Sequence, residues 1–150
     1  MKITKASVSW DGIVANLNRA LKEWHPEDFK KESEYRDSLL AYLRECAPDA
    51  RITREYRHLG TTVDLFLEWP GFFGKDAVFI ELKRNLTHKA QLDRLIGQIE
   101  CLQPKKHNIV VLLCGETDQS LLERLKEHYE HYGWTVHIFV QKPAALGASG

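Results

Sequence analysis

The chain has little of several things that assign function quickly. It has no apolar run of membrane-spanning length, one methionine, three cysteines and no excess of either charge. The short apolar runs exclude a bilayer-crossing helix, so no membrane partner is expected. Cys46, Cys101 and Cys114 are isolated and odd in number, which argues against a disulfide framework. They read as reduced thiols serving as small apolar filler, and the expected location is cytoplasmic. Met1-Lys2-Ile3-Thr4-Lys5 is followed by no signal-peptide hydrophobic region. Twenty-one basic residues balance twenty-one acidic ones, so the whole-chain field gives no push toward polyanions. No glycine-rich fingerprint follows a strand, and Gly71-x-x-Gly74-Lys75 is too short for a phosphate-binding loop. A nucleotide cofactor is not indicated. His128 and His131 lie one helical turn apart without a third ligand, which reads as a surface pair rather than zinc.

What remains is an ordinary composition for one globular domain. At 150 residues, 43% hydrophobic and 28% charged, the chain can bury a core without staples. We expect one domain over 1–142 and a frayed tail over 143–150. Ile13, Leu17, Leu21 and Trp24 recur at helical spacing, predicting an amphipathic leading helix over 11–24 that stops at His25-Pro26. Tyr35, Leu39, Leu43 and Cys46 predict a second helix from about Glu27 or Glu32 to Cys46, broken by Ala47-Pro48-Asp49. Arg51–Arg57 alternates like a strand and turns at His58-Leu59-Gly60. A later helix from about His88 to Leu102 carries Leu92, Leu95, Ile96, Ile99 and Leu102 on its apolar face. The run from Asn108 to Cys114 reads as a strand buried on both faces, parallel to the strand before that helix. Thr117 or Asp118 caps a further helix stopped by Gly133, and Trp134–Val140 is the last strand.

The most informative stretch is Thr62-Val63-Asp64-Leu65-Phe66 with Phe79-Ile80-Glu81-Leu82-Lys83. A hairpin folded between Phe72 and Phe73 sets Asp64 opposite Glu81, Val63 opposite Leu82, Leu65 opposite Ile80 and Leu67 opposite Val78. One face is then wholly apolar, and the other carries Thr62, Asp64, Glu81 and Lys83. Two opposed carboxylates repel, so the pair asks for a compensating cation, which a divalent metal beside Lys83 supplies. Residues 78–109 hold six Lys or Arg against three acids, and 51–58 add Arg51, Arg54, Arg57 and His58 against Glu55. A basic flank of Arg54, Arg57, Arg84, Lys89 and Arg94 is the candidate nucleic-acid contact. Scattered surface charge is the plainer reading of any one of them.

The order helix, three strands, helix, strand, with Asp on the second strand and Glu-x-Lys on the third, resembles the core of the PD-(D/E)XK nuclease superfamily over roughly residues 30–115. The resemblance implies a restriction-endonuclease-like αβββαβ core, a central mixed sheet flanked by helices, here with an extra N-terminal helix and a C-terminal helix-strand. It implies a metal-dependent nuclease acting on phosphodiesters, with DNA the expected substrate, with magnesium, or manganese as substitute, held by Asp64 and Glu81, and with Lys83 catalytic. Many members add a helix Glu. Glu32 shares the inward stripe of Tyr35, Leu39 and Leu43, whereas Glu34 points away. Several branches place a Gln on the following helix, where Gln98 matches and Gln91 competes. Magnesium takes hard oxygen ligands and keeps several waters, so the Leu82 carbonyl joins the candidate ligands, with Glu32. Val63 stands where the motif has Pro.

Two rivals stay open: a nuclease-fold module that binds nucleic acid or acts as a scaffold without turnover, and an α/β domain whose Asp64, Glu81 and Lys83 form a structural ion cluster. Neutral net charge also leaves room for a homodimer. Glu32 is equally readable as a helix N-terminal acid. The tip aromatics Trp69, Phe72 and Phe73 suit packing back onto the domain better than wedging between bases or a dimer contact.

Overall fold

The computed structural model describes residues 2–71, 74–132 and 135–141. Its elements run α1 (Lys5–Asp11), α2 (Ile13–Glu23), α3 (Glu32–Cys46), β1 (Arg51–His58), β2 (Thr61–Gly71), β3 (Gly74–Leu86), α4 (Lys89–Cys101), β4 (Asn108–Thr117), α5 (Gln119–Tyr129) and β5 (Val136–Val140). The protein is α/β, with one five-stranded sheet in the order β1-β2-β3-β4-β5. The first three strands form an antiparallel meander. β4 and β5 add in parallel after helical crossovers, which makes the sheet mixed. Gly133, Trp134, Phe72, Phe73 and the tail 143–150 lie outside the described residues. No helix among the described residues is long and apolar enough to cross a membrane.

Alternation along the strands splits the apolar side chains between two cores. Leu65, Leu67, Val78, Ile80, Leu82, Val110 and Leu112 face α1, α2 and α3. Phe79, Ile109, Val111 and Leu113 face α4 and α5. Helices therefore cover the sheet on both sides. Trp69 is 1% exposed in the first core, so it packs back onto the domain.

Three sequence expectations need completing or correcting. The helix expected over 11–24 is α2, and α1 precedes it as a separate helix that was not expected; Gly12 at φ 85° both ends α1 and begins α2, a conformation that glycine adopts without a Cβ penalty. Thr4 and Ser7 cap α1 reciprocally, a signature not read in advance. Cys101 is exposed, and only Cys46 and Cys114 are buried filler; Cys101 falls off the inward stripe of Leu92, Leu95, Ile99 and Leu102.

The third correction concerns the hairpin. Its register is the expected one from Leu65↔Ile80 to Gly71↔Gly74. The pairing stops there, however, and Val63 belongs to the second core while Leu65 and Leu82 belong to the first. The apolar face is thus not continuous. The neighbouring strand shows why. β1 pairs with β2 at Arg54↔Leu65 and Tyr56↔Val63, and between them Glu55 takes φ 51°. This left-handed residue swaps faces, so Ile52 packs on the first core and Tyr56 on the second.

A second irregularity follows Lys83. The β3–β4 register shifts between Arg84 and Leu86, with Asn85 at φ 58° and its Oδ1 accepting the Glu116 N–H at 2.8 Å. Gly115 sits under that side chain at φ 70°, and a Cβ there would overlap Asn85 Oδ1. Gly115→Ala is therefore expected to cost about 1–3 kcal/mol in urea unfolding. Wild-type stability would show that the Asn85 bridge yields freely.

Candidate active site

The site is built where β2 and β3 part. Beyond Leu65↔Ile80, β2 continues only with β1, through Val63, Thr62 and Thr61, while β3 continues with β4 through Glu81, Leu82 and Lys83. The inner edge of β3 has then lost its antiparallel partner. Residues two apart on a strand direct their N–H groups to the same edge, and a buried N–H without a partner is costly. Two carboxylates serve this edge. Asp64 Oδ2 accepts the Leu82 N–H at 2.8 Å, and Glu32 Oε1 accepts the Arg84 N–H at 3.3 Å. In this pattern a residue's C=O leaves on the same side as its N–H, so the Leu82 carbonyl also opens into the fork.

The fork is the floor of a cleft of about 270 Å³ lined by Thr62, Asp64, Glu81, Leu82 and Lys83 of the sheet, Glu32 of α3, and Gln91, Arg94, Leu95 and Gln98 of α4. Glu81 is only 6% exposed. Burial raises its pKa most, and the charge of Asp64, a hydrogen bond with the Asp64 carboxyl and the charge of Glu32 add to this; Lys83 offsets only part. Without a metal, Glu81 therefore keeps its proton well above the usual carboxylate range, within a hydrogen bond to the Asp64 carboxyl. Glu32 is also pushed up, by its own burial and then by Asp64, against Lys83 and the Arg84 N–H. Cys114 is pushed up to about 12, chiefly by burial and then by Glu32. Its thiol is inert at neutral pH.

The other candidates are distributed unevenly. Glu32 is half-buried and lines the cleft, and Glu34 is exposed, as the inward stripe of α3 expects. Both Gln98 and Gln91 line the cleft, but Gln91 is committed to capping: its Oε1 accepts the Thr87 N–H at 2.9 Å and the His88 N–H at 3.0 Å. Of the five flanking cations, only Arg94 lines the cleft. Arg84 donates its Nε to the Phe29 carbonyl at 2.8 Å and ties the segment before α3 to β3. Lys89 lies 3.8 Å from Asp93, and Arg54 3.9 Å from Asp37. Arg57 is exposed on β1.

One supporting pair escaped the sequence reading. Arg36, one turn after Glu32 on α3, reaches Glu55 at 2.8 Å and Asp37 at 3.2 Å. It thereby ties the helix carrying Glu32 to the left-handed residue at the face switch. The i, i+4 spacing from Glu32 was visible in the sequence, but the backbone of Glu55 was not.

Among the described residues, no group of three or more His, Cys, Asp or Glu is placed to hold a metal ion. Comparisons with protein-family models, curated proteins and solved structures give no match. The chemistry therefore rests on the cleft itself.

A raised carboxyl pKa has a definite sign in stability. Between the ordinary Glu value and its folded value, the native state holds a proton that the unfolded chain has lost, so stability falls as pH rises through that window. Glu81→Gln keeps a donor toward Asp64 and removes the titration. The variant should match wild type near pH 4 and, without metal, gain on it by on the order of 1 kcal/mol per pH unit between pH 5 and 8. Parallel melting curves across pH would show that Glu81 is ionised in the fold.

Proposed function

We propose that this protein is a metal-dependent nuclease that hydrolyses phosphodiester bonds, with DNA the expected substrate. The observation that supports it best is a buried Glu81 beside a second carboxyl with too little positive charge nearby. Such a pair is costly as structure alone and is suited to a divalent cation. The element order α3, β1, β2, β3, α4, β4, with Asp64 and Glu81-x-Lys83 on adjacent strands, also accords with the restriction-endonuclease-like core that the motif resembles.

Magnesium suits the donor set, since it binds through one or two carboxylates and keeps its waters, and no closed protein cage is needed. Asp64 and Glu81 would hold it, with the Leu82 carbonyl as a further oxygen donor and manganese as substitute, while Glu32, bonded to the Arg84 N–H, would add its charge from outside that set. Bound there, the ion would supply a more acidic water and offset charge on the phosphoryl oxygens. The residues have separate tasks. Asp64 and Glu32 are held in place by the Leu82 and Arg84 N–H groups, so little reorganisation is required of them. Lys83 follows Glu81 by two on the same strand face and stabilises the negative charge that grows on phosphorus-bound oxygen. Gln98 orients the attacking water or Lys83 by hydrogen bonding. Water oxygen bonds to phosphorus, one P–O ester bond breaks, and the leaving alcohol takes up a proton.

One observation favours the rival structural reading. Asp64 and Glu32 already cap backbone N–H groups, and an inert ion cluster would do the same. The two readings separate in solution. Wild type should cleave DNA with magnesium or manganese, and Asp64→Ala and Lys83→Ala should each lower the rate by at least a hundredfold. Cleavage that survives in both variants removes the assignment.

Calorimetry with magnesium gives an independent reading. Binding must expel the Glu81 proton, so affinity should rise about tenfold per pH unit below the Glu81 pKa. A scaffold or ion cluster shows no carboxylate-dependent binding.

A further inference from the structure

We propose that the aromatic cluster next to the cleft is a base-stacking subsite, and that the strand this protein holds carries unpaired nucleotides. The inference rests on the nuclease reading for the location of the scissile phosphate, and on its own geometry for the rest. Five rings from three strands and the α4–β4 connection come together. Tyr56 and Phe66 lie 4.4 Å apart at 20°, and Phe66 and Phe79 4.8 Å apart at 28°. His58 lies 4.9 Å from Phe79, and His107 meets His58 edge-on at 5.2 Å. These rings line an open cavity of about 280 Å³.

Three features point to a ligand rather than to packing alone. First, the rings are incompletely covered: Phe79 is 3% exposed, yet Tyr56, His58, Phe66 and His107 stay half-buried. A purely structural aromatic group of this size is normally roofed, and here the cavity takes the place of the roof. Second, the cluster is a neighbour of the cleft along β3, although the two cavities share no lining residue. Phe79 and Glu81 share one face of β3 two residues apart, roughly 7 Å along the strand. A strand whose phosphate lies at Glu81 has the half-buried rings of this cluster within reach. Third, cations stand at both ends of this path, Arg94 in the cleft and Lys106 on the cavity. Asp76 also lines the cavity, so the charge there is balanced and the attraction must come from the rings.

The occupant follows from these properties. The cavity falls just below the range for drug-sized ligands and suits one planar heterocycle. Aromatic rings on a sheet take up nucleobases by stacking, with little regard to sequence. A base inside a duplex has both faces covered by its neighbours and cannot enter. A single strand, a flap or a frayed end presents a free face.

The test uses the full chain carrying Lys83→Ala, with magnesium present, and fluorescent 12-nucleotide strands containing 2-aminopurine. The single strand should bind at least tenfold tighter than the blunt duplex, with the 2-aminopurine quenched. Tyr56→Leu and Phe66→Leu should each weaken single-strand binding about tenfold and relieve the quenching. If either leucine variant fails to fold, Lys106→Glu on the exposed rim decides, and it should weaken the single strand severalfold. Equal or tighter duplex binding, or single-strand binding unchanged in folded variants, overturns the subsite. The two readings fail differently. Wild type that cleaves nothing while the quenching persists removes the nuclease and leaves the subsite; cleavage with duplex preference does the reverse.

Discussion

The constraint on which the rest depends is the parting of β2 from β3 after Leu65 and Ile80. A sheet that stayed zipped would satisfy the Leu82 and Arg84 N–H groups with backbone carbonyls and leave no cleft. Once the strands separate, those groups need acceptors, and Asp64 and Glu32 supply them at 2.8 and 3.3 Å. The acids are thus positioned by the same backbone groups that their absence would orphan. Charge-assisted bonds of this kind are stronger than neutral ones, and they offset part of the cost of gathering carboxyls in one place. Glu81 has no such bond from the edge, since its side chain stands on the sheet face. Buried there, and with the surplus repulsion added, it holds a proton.

The surroundings are arranged to keep the fork open. Glu55 adopts a left-handed backbone opposite the parting and sends Tyr56 and Val63 to the second core. Arg36 grips Glu55 from the helix that carries Glu32. Beyond Lys83, Asn85 lies over Gly115 and bridges to the Glu116 N–H. Each irregularity adjoins an acid or the lysine of the cleft. Strain gathered around one site, in a sheet otherwise regular, is the pattern of a place shaped for use rather than for stability alone.

On the proposed reading, the zero net charge acquires a meaning. Without a strongly basic surface, nonspecific attraction to a phosphate backbone is weak, and affinity must come from the metal, from a few cations such as Arg94 and Lys106, and from stacking. A half-covered aromatic cluster beside a polar cleft fits that division of labour. It would also make the form of the strand, rather than its sequence, the property that is read.

Much of this was legible in advance, and the limits have physical causes. The periods of 3.6 and 2 determined the helices α2 to α5, the meander, the parallel β4 and the hairpin register from Leu65↔Ile80 to Gly71↔Gly74, because burial of one face leaves little freedom of phase. The same logic set Asp64, Glu81 and Lys83 near one another and chose Glu32 over Glu34. The tertiary structure decided what periodicity cannot carry. It added α1 ahead of the leading helix, with Gly12 between them, exposed Cys101, ended the hairpin ladder early and moved Val63 to the other core. It also tied up Arg84, committed Gln91 to a helix cap and left Arg94 alone of its group in the cleft. Those outcomes turn on single left-handed residues and on which hydrogen bonds remain after the strands part. Such events are local in energy but nonlocal in sequence, so they appear only when the chain is folded.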